Sequence, residues 1–374
     1  MNIEEFLEKA RSEYGFGAFI RELRRKKGGR IGAQKDKDFD CGEEHKFLLA
    51  PLISEGDTTL LYSGKGLGKT VIAMGIAYAV ALGRSLFDLW KSNNPQKVLY
   101  VETEIGVRGF AGRIRSTRRV FKLTQDADVP IWFLLERLNL YTEEGRKLVE
   151  NEIAKINAAA LVEETLKFIV IDNLTSAIGS NDTPAAWDVF YTWVMGLKEQ
   201  GISVLILFHA NDDDSLRGSK MKLINIDNVI FLGRPQPGSG DGKPNKRQKK
   251  TEKQPQDRSK ISMNIVFENL RNNPYPEAYT TIKLEYSVPN CSWKMLNFEQ
   301  YMRSTLSSLS EYCSDEEMAK FFGETPRQIK ELRRKYDIRK NKSSGLGCDG
   351  QGKVEDAAYS MDCDLAQRKT ESEV

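Results

Sequence analysis

One stretch limits the fold of this chain more than any other: Ser63-Gly64-Lys65-Gly66-Leu67-Gly68-Lys69-Thr70. It lies between a strand-like apolar run at 59–62 and a helix-like apolar run at 71–82. The glycines let backbone N–H groups turn inward as a nest, and the start of the following helix adds partial positive charge, so the stretch reads as a phosphate-binding loop. In that reading Ser63, Gly64, Lys65, Gly66, Leu67 and Gly68 wrap the phosphates, Lys69 reaches the β- and γ-phosphates, and Thr70 holds Mg²⁺. The usual pattern begins with Gly where this chain has Ser63, and the plainer alternative is a Gly-rich turn that opens a helix.

Such a loop needs an α/β layer behind it, and the rest of the chain supplies one. The run 97–103 alternates and is β-branched, ending near Glu102 and Glu104. The run 166–172 is continuously apolar and ends in Asp172, as a strand buried on both faces of a parallel sheet requires. An acid at that carboxyl edge can hold Mg²⁺ beside a phosphate loop. The run 202–208 ends in His209, which shares the edge with Lys69, Glu104 and Asp172; it reads as a γ-phosphate sensor, or as a satisfied polar strand end. Helices are expected at 143–160 and 185–200, and later strands at 227–232, 263–267 and 280–286. Strand pairs without an intervening helix predict an antiparallel extension of the parallel core.

The boundaries follow composition. Residues 1–30 read as a helical segment ending in Arg21-Glu22-Leu23-Arg24-Arg25-Lys26-Lys27, a solvated basic face or a docking arm. A linker follows at 31–44, then the main domain at 45–296 with a basic insertion at 234–260 that composition marks as disordered. With 374 residues and a 40 % apolar share there is room for one large domain and one small one. A net charge of +3 confines any nucleic-acid contact to local basic patches. Five scattered cysteines without a CxxC pair, and two histidines, argue against zinc or a disulfide framework. No apolar run approaches the roughly 20 residues that span a bilayer, and the acidic start is unlike a signal peptide, so a cytoplasmic protein without a membrane segment is expected.

The order of these pieces over 45–296 resembles the RecA-like ATPases, and within them the RepA replicative helicases and the DnaB helicase superfamily. The resemblance implies a RecA-like P-loop core with a mainly parallel sheet and helices on both faces. It implies ATP with Mg²⁺ as ligands, and a homo-oligomer such as a hexameric ring. It makes Glu104 the residue that polarises the attacking water and puts Arg113 near the adenine. Leu207-Phe208-His209 matches the sensor strand, and Arg217-Gly218-Ser219 is a recurrent tripeptide of the branch. Leu270-Arg271-Asn272 matches the segment that supplies an arginine finger to the neighbouring subunit, although Asn269 and Asn273 replace its usual Lys and Gly.

A small α-helical domain is expected at 301–339, with a disordered tail at 340–374. Ser314 with Glu317 forms a capping box, Gly323-Glu324-Thr325 turns, and Pro326 opens a second helix. The pattern resembles a helix-turn-helix, which would aim Arg327, Gln328, Lys330 and Arg334 at the major groove of DNA. A helical hairpin that packs on the core is the alternative. The expected function is an ATP-driven motor on single-stranded or duplex DNA. An ATP-switched DNA-binding regulator, a recombinase or a loader are the other readings. Asp212-Asp213-Asp214, in the loop where the resemblance puts DNA contacts, would repel phosphates.

Overall fold

The computed structural model describes residues 46–104, 106–158, 165–177, 183–211, 214–216, 225–235, 259–271 and 279–338. The expected N-terminal helical segment, the linker, most of the basic insertion, Asp212, Asp213, the Arg217-Gly218-Ser219 tripeptide, Asn272, Asn273 and the tail lie outside them.

A short antiparallel pair, β1 (Phe47–Leu49) and β2 (Ile53–Ser54), leads into β3 (Thr58–Ser63) and α1 (Lys69–Leu82). Then come β4 (Val98–Glu102), α2 (Val107–Val120), β5 (Ile131–Leu135), α3 (Glu143–Ala158), β6 (Phe168–Asp172), α4 (Leu174–Ala177), α5 (Pro184–Lys198) and β7 (Ser203–His209). The chain continues through β8 (Asn228–Gly233), β9 (Lys260–Leu270), β10 (Ile282–Ser287), β11 (Ser292–Met295), α6 (Phe298–Tyr312), α7 (Asp315–Phe322) and α8 (Pro326–Lys335).

Nine strands form one sheet in the order β11-β10-β9-β8-β3-β7-β6-β4-β5. From β8 to β5 every neighbouring pair is parallel, whereas β8–β9, β9–β10 and β10–β11 are antiparallel. This is the mainly parallel α/β sheet with an antiparallel extension that the apolar runs predict. Every residue of β3, β4 and β6 is buried, because helices cover both faces. Alternation along β3 shows the two layers: Leu61 joins the core under α1, while Leu60 and Tyr62 join the core under α3 and α5. Among the described residues no helix is long and apolar enough to cross a membrane.

The C-terminal helices sit on the α1 side. Met318, Phe321, Phe322, Ile329 and Tyr336 belong to the same apolar cluster as α1 and the sheet. The expected capping box of Ser314 with Glu317 forms, and Thr325 makes a second one with Gln328. Gly323 turns between α7 and α8 at φ +62°, and a Cβ there would meet the Cβ of Lys91 at 2.8 Å. Next to it Lys91 pairs with Glu324, and Phe321 stands edge-on to Tyr279 with centroids 5.2 Å apart. Inside the hairpin Arg333 Nη1 donates to Asp315 Oδ1 at 2.9 Å. These contacts tie the helical segment to the sheet domain.

Candidate active site

Strand order assembles the site. β7 lies between β3 and β6, so Ser63 is paired with His209 across one ladder, and Glu102 with Asp172 across another. The carboxyl ends of β3, β4, β6 and β7 therefore converge at the edge where open α/β sheets bind ligands.

The phosphate loop follows β3. Gly66 and Gly68 have φ of +81° and +85°, the left-handed conformation that a nest needs and that L side chains resist. A Cβ on Gly68 would also meet Met263 Cε at 2.9 Å. Lys69 is only 7 % exposed. Its ammonium donates to Ser63 O at 3.0 Å, Ser63 Oγ at 3.1 Å and Gly64 O at 3.1 Å, and contacts His209 Nδ1 at 3.1 Å. The serine in place of the first glycine thus supplies a hydroxyl acceptor for Lys69. Burial pushes the Lys69 pKa down to about 8, against the pull of Asp172 and Glu104. An arriving phosphate would stabilise the charged form.

Asp172 is 3 % exposed. Tyr100 donates its hydroxyl to Asp172 Oδ2 at 2.7 Å, and Thr70 makes a further hydrogen bond to the carboxylate. Burial pushes the Asp172 pKa up, opposed by Tyr100, Thr70 and the positive charge of Arg113. Arg113 thus acts on the acid at the end of β6, and its Nη1 is buried without a hydrogen-bond partner. The Thr70 hydroxyl and Asp172 carboxylate are hard oxygen donors of the kind Mg²⁺ prefers. Among the described residues no group of three His, Cys, Asp or Glu side chains could hold a metal, so an ion here would complete its shell with phosphate oxygens and water.

Glu104 lies just past β4, its side chain 44 % exposed. Its carboxylate accepts from Asn173 Nδ2. His209 Nε2 lies 3.2 Å from the same amide nitrogen and 3.8 Å from Glu104 Oε2. Burial, then the charge of Lys69, pushes the His209 pKa down, with Glu104 opposing. Lys69 and Thr70 of the glycine loop are thus brought together with Glu104, Asp172 and His209 from the carboxyl ends of neighbouring strands. Asn173 and Tyr100 are the two contacts that sequence reasoning missed. Asn173 directly follows Asp172, a usable signal; Tyr100 looks like any core aromatic.

Two groups of predicted residues lie elsewhere. Arg271 follows β9, and its N–H donates to Asp227 O at 2.8 Å, beside the amino end of β3. That is the opposite edge of the sheet from Lys69, a strand length of roughly 20 Å away. On α8, Arg327, Gln328, Lys330 and Arg334 are exposed. Arg327 pairs with Glu331 at 3.4 Å, and Gln328 is engaged in the Thr325 cap. Lys330 and Arg334 line a depression of about 280 Å³ with Arg333, Asp337 and Ile338.

Fold and site together have the features of a P-loop phosphate-binding site: a left-handed glycine nest, a buried lysine, a hydroxyl beside a strand-end acid, and a second acid open to water. Residues 32–215 match the family model of the AAA domain. Among solved structures, a KaiC-like protein of the hyperthermophilic archaeon Pyrococcus horikoshii OT3 is similar at 15 % identity and a TM-score of 0.43, over 65 % of this chain and 90 % of that one. No curated protein sequence matches the chain.

Proposed function

We propose that the protein binds and hydrolyses ATP with Mg²⁺ and uses the cycle to act on DNA, as a RepA- or DnaB-like helicase of a plasmid, phage or other mobile element. The observation that carries the ATPase half is the convergence of Lys69, Thr70, Glu104, Asp172 and His209 on one sheet edge. Lys69 neutralises the phosphates and Glu104 orients the attacking water. His209 senses the γ-phosphate, and the positive charge of Arg113 steadies the Asp172 carboxylate. Mg²⁺, held by Thr70 and Asp172, supplies further charge stabilisation when bound. Arg271, on the far edge, serves as a finger in a neighbouring copy, which makes a homo-oligomeric ring the working form.

The DNA half rests on the resemblance and on the exposed cations of α8. Asp214 favours a second reading: its carboxylate oxygen lies 3.4 Å from where a Cβ on Gly64 would sit, so this loop presents an acid to the phosphate loop. That arrangement suits an ATP-switched DNA-binding regulator. Hydrolysis measured with and without single-stranded DNA separates the two. The motor predicts several-fold stimulation, and DNA-indifferent turnover would leave the regulator. For α8, the double variant Lys330→Glu, Arg334→Glu should weaken duplex binding and lower the salt slope by about 2. An unchanged slope would remove α8 from the DNA interface.

A further inference from the structure

Glu104 works only if its carboxylate is held, and little on its own strand holds it. Its backbone N–H donates to Glu102 Oε1 at 2.7 Å, but the side chain projects past the sheet edge and is 44 % exposed. Its orientation comes from the neighbouring strands. Asn173, 2 % exposed, donates Nδ2 to Glu104 Oε2. The other end of that amide is committed, because Oδ1 accepts the Ser176 N–H at 2.9 Å. The backbone carbonyl of Asn173 is fixed as well, accepting the Thr103 hydroxyl at 2.8 Å. With Oδ1 tied to the first turn of α4, the amide cannot turn over without losing a bond, so its donor faces Glu104.

His209 stands next to the same oxygen without hydrogen-bonding to it. Its Nδ1 faces the Lys69 ammonium at 3.1 Å, and its Nε2 lies toward Glu104 and Asn173. That nitrogen lies 3.8 Å from Glu104 Oε2 and 3.2 Å from Asn173 Nδ2. Asn173 Nδ2 is therefore the donor that holds Oε2.

We propose that Asn173 is a positioning residue for hydrolysis: it pins Glu104 Oε2 so that the other carboxylate oxygen faces the attacking water. This rests on the reading of Glu104 as the water-orienting acid. The amide does not touch nucleotide or water; it acts through the carboxylate. A misplacement of about 1 Å at such a group costs roughly 10²-fold in rate.

The test compares Asn173→Asp with Asn173→Ala by steady-state kinetics, equilibrium binding of a fluorescent ATP analogue and thermal unfolding. The aspartate keeps the volume and the oxygen that caps Ser176 but loses the donor. It should lower kcat roughly 10²-fold, with KM and analogue affinity within about two-fold of wild type. The alanine should lose kcat similarly and, lacking the cap, also unfold at lower temperature. A wild-type kcat in a folded Asn173→Asp protein would overturn the proposal, as would a loss confined to KM. Failure of the wild-type protein to hydrolyse ATP would remove the Glu104 reading together with it, whereas active wild type beside an equally active variant removes the Asn173 role alone.

Discussion

Lys69 and Arg333 are both buried cations, and their partners give them different work. Lys69 is held by carbonyl oxygens, a hydroxyl and a neutral imidazole, with Asp172 and Glu104 acting only across space. Its charge is left poised for an incoming phosphate. Arg333 is closed off against Asp315, with the two side chains 8 % and 9 % exposed, and so serves the fold. Removing one partner of a buried pair strands the other. Asp315→Ala should therefore destabilise the protein by about 3–5 kcal/mol in urea denaturation. Arg327→Ala, which breaks a pair whose side chains are 88 % and 60 % exposed, should cost less than about 1 kcal/mol. Equal effects would mean that α7 and α8 are not locked through Arg333.

At the scale of elements, what the sequence made legible was where apolar runs stop. The strands β4, β6 and β7 are nearly unbroken apolar runs, so Asp172 and His209 could be picked as the polar residues at the ends of β6 and β7, while the end of β4 offered Glu102 and Glu104 and the resemblance chose Glu104. Ladder register is invisible in a sequence, which is why the Tyr100 contact with Asp172 and the Asn173 contact with Glu104 were not foreseen. Several elements went unread, α6 and β11 among them. The helix α6 carries Ser304, Thr305, Ser307, Ser308 and Ser310, hydroxyl residues that compete for backbone hydrogen bonds and blur a helical signal. Burial of Tyr301, Leu306 and Leu309 against the core overrides that weakness. The edge strand β11 has four residues, too few to show alternation. The strand β9 runs to Leu270, beyond the expected 263–267, and this extension carries Arg271 to the far edge of the sheet.

At the scale of the molecule, that placement keeps Arg271 away from the site of its own chain, so the proposed finger would act between copies. A finger in trans can contribute about 10³- to 10⁵-fold in rate. Arg271→Ala and Lys69→Ala proteins should each be nearly inactive, yet their mixture should regain ATP hydrolysis, because one interface unites an intact Lys69 with an intact Arg271. No recovery on mixing would remove the trans finger and leave the ATPase assignment standing. The assignment itself is met most directly by measuring ATP binding and steady-state hydrolysis on the wild-type protein beside Glu104→Gln. The wild type should turn over, and the variant should bind ATP with wild-type affinity while its turnover falls at least about 10²-fold. Ordinary turnover by Glu104→Gln would contradict the site described.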